Sequence, residues 1–155
     1  MMILITGKQD SGKTTRLLEY YQSHKKGDGY ALLKQMREKD VLGFLAMRLS
    51  SGETHPFLTH QRQEIHEDSG MKIGPYLVDQ AMYEVMIEVY ESLIRHRVSP
   101  IYIDEIGRWE LSGEGFDSVI QKCIDASVDL ICTVRSDFIE HVIQRYHLGK
   151  NVQIL

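Results

Sequence analysis

Apolar and polar positions change period repeatedly along this chain, and each change predicts an element. Ile3-Leu4-Ile5-Thr6 is a short apolar run that reads as a buried strand. Thr15 to His24, with Leu17, Leu18 and Tyr21 on one side, reads as a helix. Tyr30 to Lys34 predicts a second strand. Val41 to Leu49 and Pro56 to Thr59 flank Ser50-Ser51-Gly52-Glu53-Thr54, the pattern of a hairpin. Residues 67–75 are polar and glycine-bearing and predict a loop. The longest helical pattern runs from Tyr76 to Arg97, with Val78, Met82, Val85, Met86, Val89 and Leu93 in one stripe and Tyr83, Ile87, Tyr90 and Ile94 in another. A helix this apolar is expected to bury two sides, or to bury one in a second copy or a protein partner. Ile101-Tyr102-Ile103 predicts a strand, Phe116 to Ile124 a helix and Leu130 to Val134 a strand. Asp137 with Glu140 predicts a capped helix bearing Phe138, Ile139, Val142 and Ile143, and Asn151 to Leu155 a last strand. Strands alternating with helices imply an α/β fold: a mostly parallel sheet between helical layers, with an antiparallel hairpin inserted near residues 41–60.

The loop between the first strand and helix carries the chemistry. Gly7-Lys8-Gln9-Asp10-Ser11-Gly12-Lys13-Thr14 has the form G-x-x-x-x-G-K-[ST], in the strand–loop–helix context that a phosphate-binding P-loop requires. Such a loop wraps a β-phosphate in backbone N–H groups, and the helix N-terminus that follows, at Thr15, adds its positive end. Lys13 is placed to reach the β- and γ-phosphates, and the Thr14 hydroxyl to ligate Mg²⁺.

A second motif answers it about ninety residues downstream. Ile101-Tyr102-Ile103-Asp104-Glu105 is an apolar strand ending in two acids. Asp104 fits the carboxylate that holds Mg²⁺ in P-loop NTPases, and Glu105 is placed to orient or deprotonate a water. Asp104-Glu105-Ile106-Gly107 also reads as D-x-x-G, which gives the Gly107 N–H the role of γ-phosphate sensor. No N-K-x-D tetrapeptide accompanies it, so guanine specificity is not supported.

Composition bounds the partners. The chain has 155 residues, 43% hydrophobic and 26% charged, which fits one globular domain over 1–155. A net charge of -4 and the lack of a long basic run do not indicate a nucleic-acid face. No apolar run approaches a membrane span, and no signal-peptide pattern precedes the P-loop, so the cytoplasm is the expected compartment. Cys123 and Cys132 lie on apolar patterns and are expected to be core thiols. His55, His60 and His66 share a region but show no metal-ligand spacing.

At Gly7 to Thr15 and Asp104-Glu105-Ile106-Gly107-Arg108-Trp109-Glu110-Leu111, the chain resembles the small nucleoside-triphosphatases of thermophilic archaea and bacteria, a family that includes a human cancer-related member. The resemblance implies a three-layer P-loop fold with a RecA-like or kinase-like core and slow, Mg²⁺-dependent hydrolysis of several nucleoside triphosphates, ATP foremost. It gives Lys13 and Thr14 the phosphate and metal roles, Asp104 the magnesium, Glu105 the catalysis, and Glu110 a motif position with no assigned role. It also implies one strand inserted between the P-loop strand and the acid-bearing strand, with Leu130 to Val134 the candidate. That placement directs Thr133 to the γ-phosphate or its water. Arg135 then either stabilises developing charge in cis or serves as a surface or helix-capping charge. Two departures stand out. Trp109 replaces a smaller apolar residue and is expected in core or interface packing. Asp10 sits inside the phosphate loop, where it repels phosphate unless it points outward or pairs with Lys8.

Three classes fit these motifs: a hydrolase, a small-molecule or nucleotide kinase clamping phosphates with Arg108, Arg135 and Arg145, and an ATP-binding switch that acts on a protein docked at residues 76–97. Glu105 and the lack of an arginine-dense lid favour the hydrolase.

Overall fold

The computed structural model describes residues 1–61 and 70–155. His66 and the first part of the expected 67–75 loop lie outside the described residues.

Alternation sets the centre of the molecule. Strand β1 (Met2–Gly7) lies parallel to β8 (Leu130–Arg135), and β8 lies parallel to β7 (Ile101–Ile106). The strand expected between the P-loop strand and the acid-bearing strand is therefore in place. β9 (Val152–Ile154) flanks β1 on the other side, also in parallel.

The remaining strands form an antiparallel wing larger than the hairpin expected at 41–60. Strand β2 (Asp28–Arg37) pairs in parallel with β7 only at Asp28, Gly29 and Tyr30. From Tyr30 onward it pairs antiparallel with β3 (Asp40–Arg48), which pairs with β4 (Thr54–His60). The short strands β5 (Lys72–Ile73) and β6 (Tyr76–Val78) close that edge. Among the described residues the sheet order is β5-β6-β4-β3-β2-β7-β8-β1-β9.

Strand side chains alternate between two faces. Leu4, Ile101, Ile103, Leu130, Cys132 and Val134 face the larger core, under α2 (Gln80–Arg95), the short α3 (Arg108–Leu111), α4 (Asp117–Asp125) and α5 (Ile139–Arg145). Ile5, Ala31, Tyr102 and Ile131 face α1 (Lys13–His24), which buries Leu17 against them. The result is the expected three layers. Cys123 and Cys132 are free and buried, as expected, and burial pushes the Cys123 thiol up to about 12.

Two helix boundaries differ from the sequence reading. The helix expected over 76–97 spans only Gln80 to Arg95, because Tyr76–Val78 joins β4 as a strand. Asp79 makes the break: its backbone is extended and its carboxylate accepts the Met82 N–H at 2.9 Å. Helix α2 buries Met82, Met86, Tyr90 and Leu93, while Val85 stays 46% exposed. The cap expected from Asp137 is also absent. Its carboxylate takes the Arg135 guanidinium instead, and α5 starts at Ile139 after a 3-10 turn (Ser136–Phe138). No described helix is long and apolar enough to cross a membrane.

Candidate active site

The C-terminal tips of β1, β7 and β8 meet at one edge of the sheet, and the register puts Gly7 beside Arg135. The loop leaving β1 closes with a Ser11 N–H bond to the Lys8 carbonyl and turns into α1 at Gly12, whose φ of 85° favours glycine. Gln9, Ser11 and Thr15 are exposed on the loop and first helical turn. Lys13 is buried along its length and donates from Nζ to the Lys8 carbonyl at 2.8 Å. A phosphate-seeking ammonium is thereby held inside the curl of the loop.

Asp104 is the hub. Its Oδ2 accepts from the Thr14 hydroxyl at 2.8 Å and from the Leu32 backbone N–H at 2.9 Å, and its Oδ1 accepts from the Thr133 hydroxyl. Four elements (α1, β2, β7 and β8) therefore converge on a carboxylate that is 4% exposed. Burial raises its pKa, opposed by these three donors and by the Lys13 charge. The pairing of a buried carboxylate with the Thr14 hydroxyl is a hard oxygen donor set of the kind Mg²⁺ prefers. Among the described residues no group of three or more His, Cys, Asp or Glu side chains stands ready for a metal. A Mg²⁺ held by one carboxylate, one hydroxyl, phosphate oxygens and water fits that arrangement.

Glu105 follows at a break in the β7–β8 register, with φ 66°, in the left-handed region that a residue with a side chain rarely adopts. The turn takes its side chain out of the strand's alternation, while its N–H donates to Thr133 Oγ1 at 2.6 Å. Desolvation first, then the Asp104 charge, raise its carboxyl above the usual range, and Asp10 adds to this. Lys13 and Lys34 oppose the shift, which places Glu105 among the charged groups of the loop.

Three residues expected to face the phosphate have partners within the chain. Thr133 is fully buried, and its single oxygen donates to Asp104 and accepts from Glu105. It braces both acids and has no spare proton for a phosphate. The Gly107 N–H, expected to sense a γ-phosphate, is already donated to Glu110 Oε1 at 2.9 Å. Arg135 pairs with Asp137 at 2.8 Å and lies over the Phe138 ring, 5.2 Å from its centroid. Its guanidinium is held locally, with its Nε buried and unpaired. Arg108 also lies over Phe138, 5.8 Å from the ring centroid, and Arg145 pairs with Asp117.

Asp10 has a partner that the sequence did not suggest. Its carboxylate points outward and pairs with Lys34 Nζ on β2, not with Lys8. Glu110 also gains a role. Its carboxylate, 2% exposed, accepts from Gly107 and from Phe116 N–H at 3.2 Å, tying the turn after β7 to the start of α4. Burial pushes it up to about 7 against those two bonds, with the Asp117 charge adding to the rise. Trp109 packs on Tyr83 and Phe116 beside this tie, as expected for a packing residue.

A phosphate-cradling loop, answered across one intervening strand by a buried aspartate and an adjacent glutamate, defines a P-loop nucleotide hydrolase. The chain matches the family described as NTPase over residues 2–155 and belongs to it. It is 29% identical over 136 residues to nucleoside-triphosphatase THEP1 of Natranaerobius thermophilus, covering 85% of this chain and 73% of that protein. It is 28% identical over 150 residues to the Thermotoga maritima THEP1, covering 94% and 82%. The fold is similar to the crystal structure of THEP1 from Aquifex aeolicus, with a TM-score of 0.71 and 22% identity over 100% of this chain and 88% of that one. It is also similar to the solution structure of a human cancer-related nucleoside triphosphatase, with a TM-score of 0.67 and 21% identity over 99% and 87%.

Proposed function

We propose that this chain hydrolyses the γ-phosphate of ATP and other nucleoside triphosphates in a Mg²⁺-dependent reaction at the tips of β1, β7 and β8. The observation that carries this reading is the 2.8 Å bond between Thr14 and a buried Asp104, with Lys13 and Glu105 beside it.

The residues divide the work. Loop N–H groups from Gly7 to Thr15, with Lys8, Gln9 and Ser11 at the rim, wrap the β-phosphate. Lys13 neutralises the β- and γ-oxygens. Thr14 and Asp104 would hold Mg²⁺, whose chemistry is to neutralise charge on the β- and γ-phosphates. Glu105, with its raised pKa, orients a water and takes its proton. The water oxygen bonds to the γ-phosphorus as the bond to the β–γ bridging oxygen breaks, and that electron pair leaves with the nucleoside diphosphate. Thr133 keeps both acids in place, with its hydroxyl between them.

The test is phosphate release from each nucleoside triphosphate without an added acceptor, with and without Mg²⁺, comparing wild type with Glu105→Gln. Glu105→Gln is expected to lower kcat by about 10²–10⁴ while triphosphate binding persists. Normal turnover in Glu105→Gln overturns the assignment of the base. Release that requires a small-molecule acceptor, or a protein, supports a kinase or a switch instead.

A further inference from the structure

Asp10 is an acid at the apex of a loop built to receive phosphate, and it adopts a φ of 58°, a conformation that costs energy for a residue with a side chain. Its carboxylate is neutralised by Lys34 Nζ through an ion pair whose side chains are 36% (lysine) and 64% (aspartate) exposed. Lys34 comes from β2, two residues beyond Leu32, whose N–H holds Asp104. Lys34 therefore stands where β2 meets the mouth of the phosphate loop, paired with the acid at the loop's apex. The cation expected there, Arg135, is held by Asp137 and Phe138.

An exposed lysine–carboxylate pair contributes little to stability and is readily exchanged. A γ-phosphate offers the ammonium more charge and more acceptor oxygens than Asp10 does. We propose that Lys34 is a further phosphate-binding residue of this site: its ammonium rests on Asp10 in the nucleotide-free chain and transfers to the γ-phosphate oxygens when a triphosphate enters. Asp10 is then a holder that keeps the cation at the mouth of the loop. Developing charge on the transferring phosphoryl group is met by Lys34 from β2 and Lys13 from α1. This inference rests on the hydrolase reading above.

The test measures equilibrium binding of Mg²⁺ with a non-hydrolysable triphosphate analogue and with the diphosphate. It uses wild type, Lys34→Ala, Lys34→Arg, Asp10→Asn, the Asp10→Asn/Lys34→Ala double variant and Lys13→Ala. Lys34→Ala is expected to lose about tenfold or more in triphosphate affinity with little change for the diphosphate, and Lys34→Arg to recover part of it. Asp10→Asn frees the cation and is expected to tighten triphosphate binding. The double variant is expected to stay as weak as Lys34→Ala. If Lys34 serves only to mask Asp10, the double variant regains wild-type affinity, and the inference is overturned. Unchanged triphosphate-over-diphosphate preference in Lys34→Ala overturns it as well. A wild type that binds triphosphate no better than Lys13→Ala removes the phosphate site itself, and both readings fall together.

Discussion

The Thr133 hydroxyl and the Asp104 carboxylate hydrogen-bond from the tips of adjacent strands, and the same hydroxyl oxygen accepts the Glu105 N–H. One buried side chain on β8 thus fixes both acids of β7. Thr133→Val keeps the shape and removes the hydroxyl, leaving an Asp104 oxygen and the Glu105 N–H without that partner. A lost buried hydrogen bond of this kind costs about 1–3 kcal/mol. Turnover is expected to fall and the Mg²⁺ concentration for half-maximal rate to rise, while Thr133→Ser retains both near wild type. Steady-state phosphate release across a Mg²⁺ titration checks this. An unchanged Mg²⁺ requirement in Thr133→Val would show that Asp104 needs no brace.

Arg135 offers the opposite expectation. Its guanidinium is engaged by Asp137 and Phe138, so Arg135→Ala is expected to leave kcat within about threefold of wild type. An arginine that stabilises transferring phosphate contributes about 10³–10⁵ in kcat. Single-turnover hydrolysis separates the two outcomes cleanly.

Glu110 makes stability depend on pH in a specific direction. Its carboxyl is pushed from 4.5 up to about 7 in the folded chain. Between those values the folded state binds more protons than the unfolded one. The stabilisation is therefore fully present below about pH 4.5 and is lost as pH rises through about 7. At 1.36 kcal/mol per unit, the total is at most about 3 kcal/mol. Denaturant melts from pH 5 to 8 are expected to show wild type losing stability relative to Glu110→Gln, which has no proton to lose. A constant difference between the two across that range would contradict the assignment.

Asp79 marks where strand turns to helix. Asp79→Ala removes the bond to the Met82 N–H and is expected to cost about 1 kcal/mol, a fall in Tm of about 2–4 °C for a domain of this size. Asp79→Asn or Asp79→Ser, which keep an acceptor, are expected to recover most of it. A thermal melt followed by far-ultraviolet circular dichroism reads the difference.

The parallel centre of the fold was legible because its strands are short apolar runs bounded by glycines and helices. The P-loop and Asp104 were legible because their chemistry demands particular residue types at strand tips. What escaped was set by tertiary partners. Val78 sits on the apolar stripe of α2 in sequence, yet pairing with Leu58 makes it strand. Lys34 reads as the end of a predicted strand, and only the folded sheet brings it to Asp10. The one hint was Asp10 itself, an acid in need of a cation, and proximity in sequence pointed to Lys8 instead. Gly107 fits the sensor pattern, but its N–H is taken by Glu110, a bond that spacing alone does not choose over a phosphate.

The central place of β8 sets an order on synthesis. Residues 130–135 are made after both nucleotide motifs, yet they lie between β1 and β7 and pair with each. A nascent chain that has emerged only as far as Glu110 already holds the whole P-loop and both acids, but not the strand that sets their spacing. Thr14 and Asp104, 90 residues apart, reach bonding distance across a gap that only the late strand fills. The emerging polypeptide therefore gains the spacing of its triphosphate grip only after residue 135 has been made and that central strand has entered the sheet.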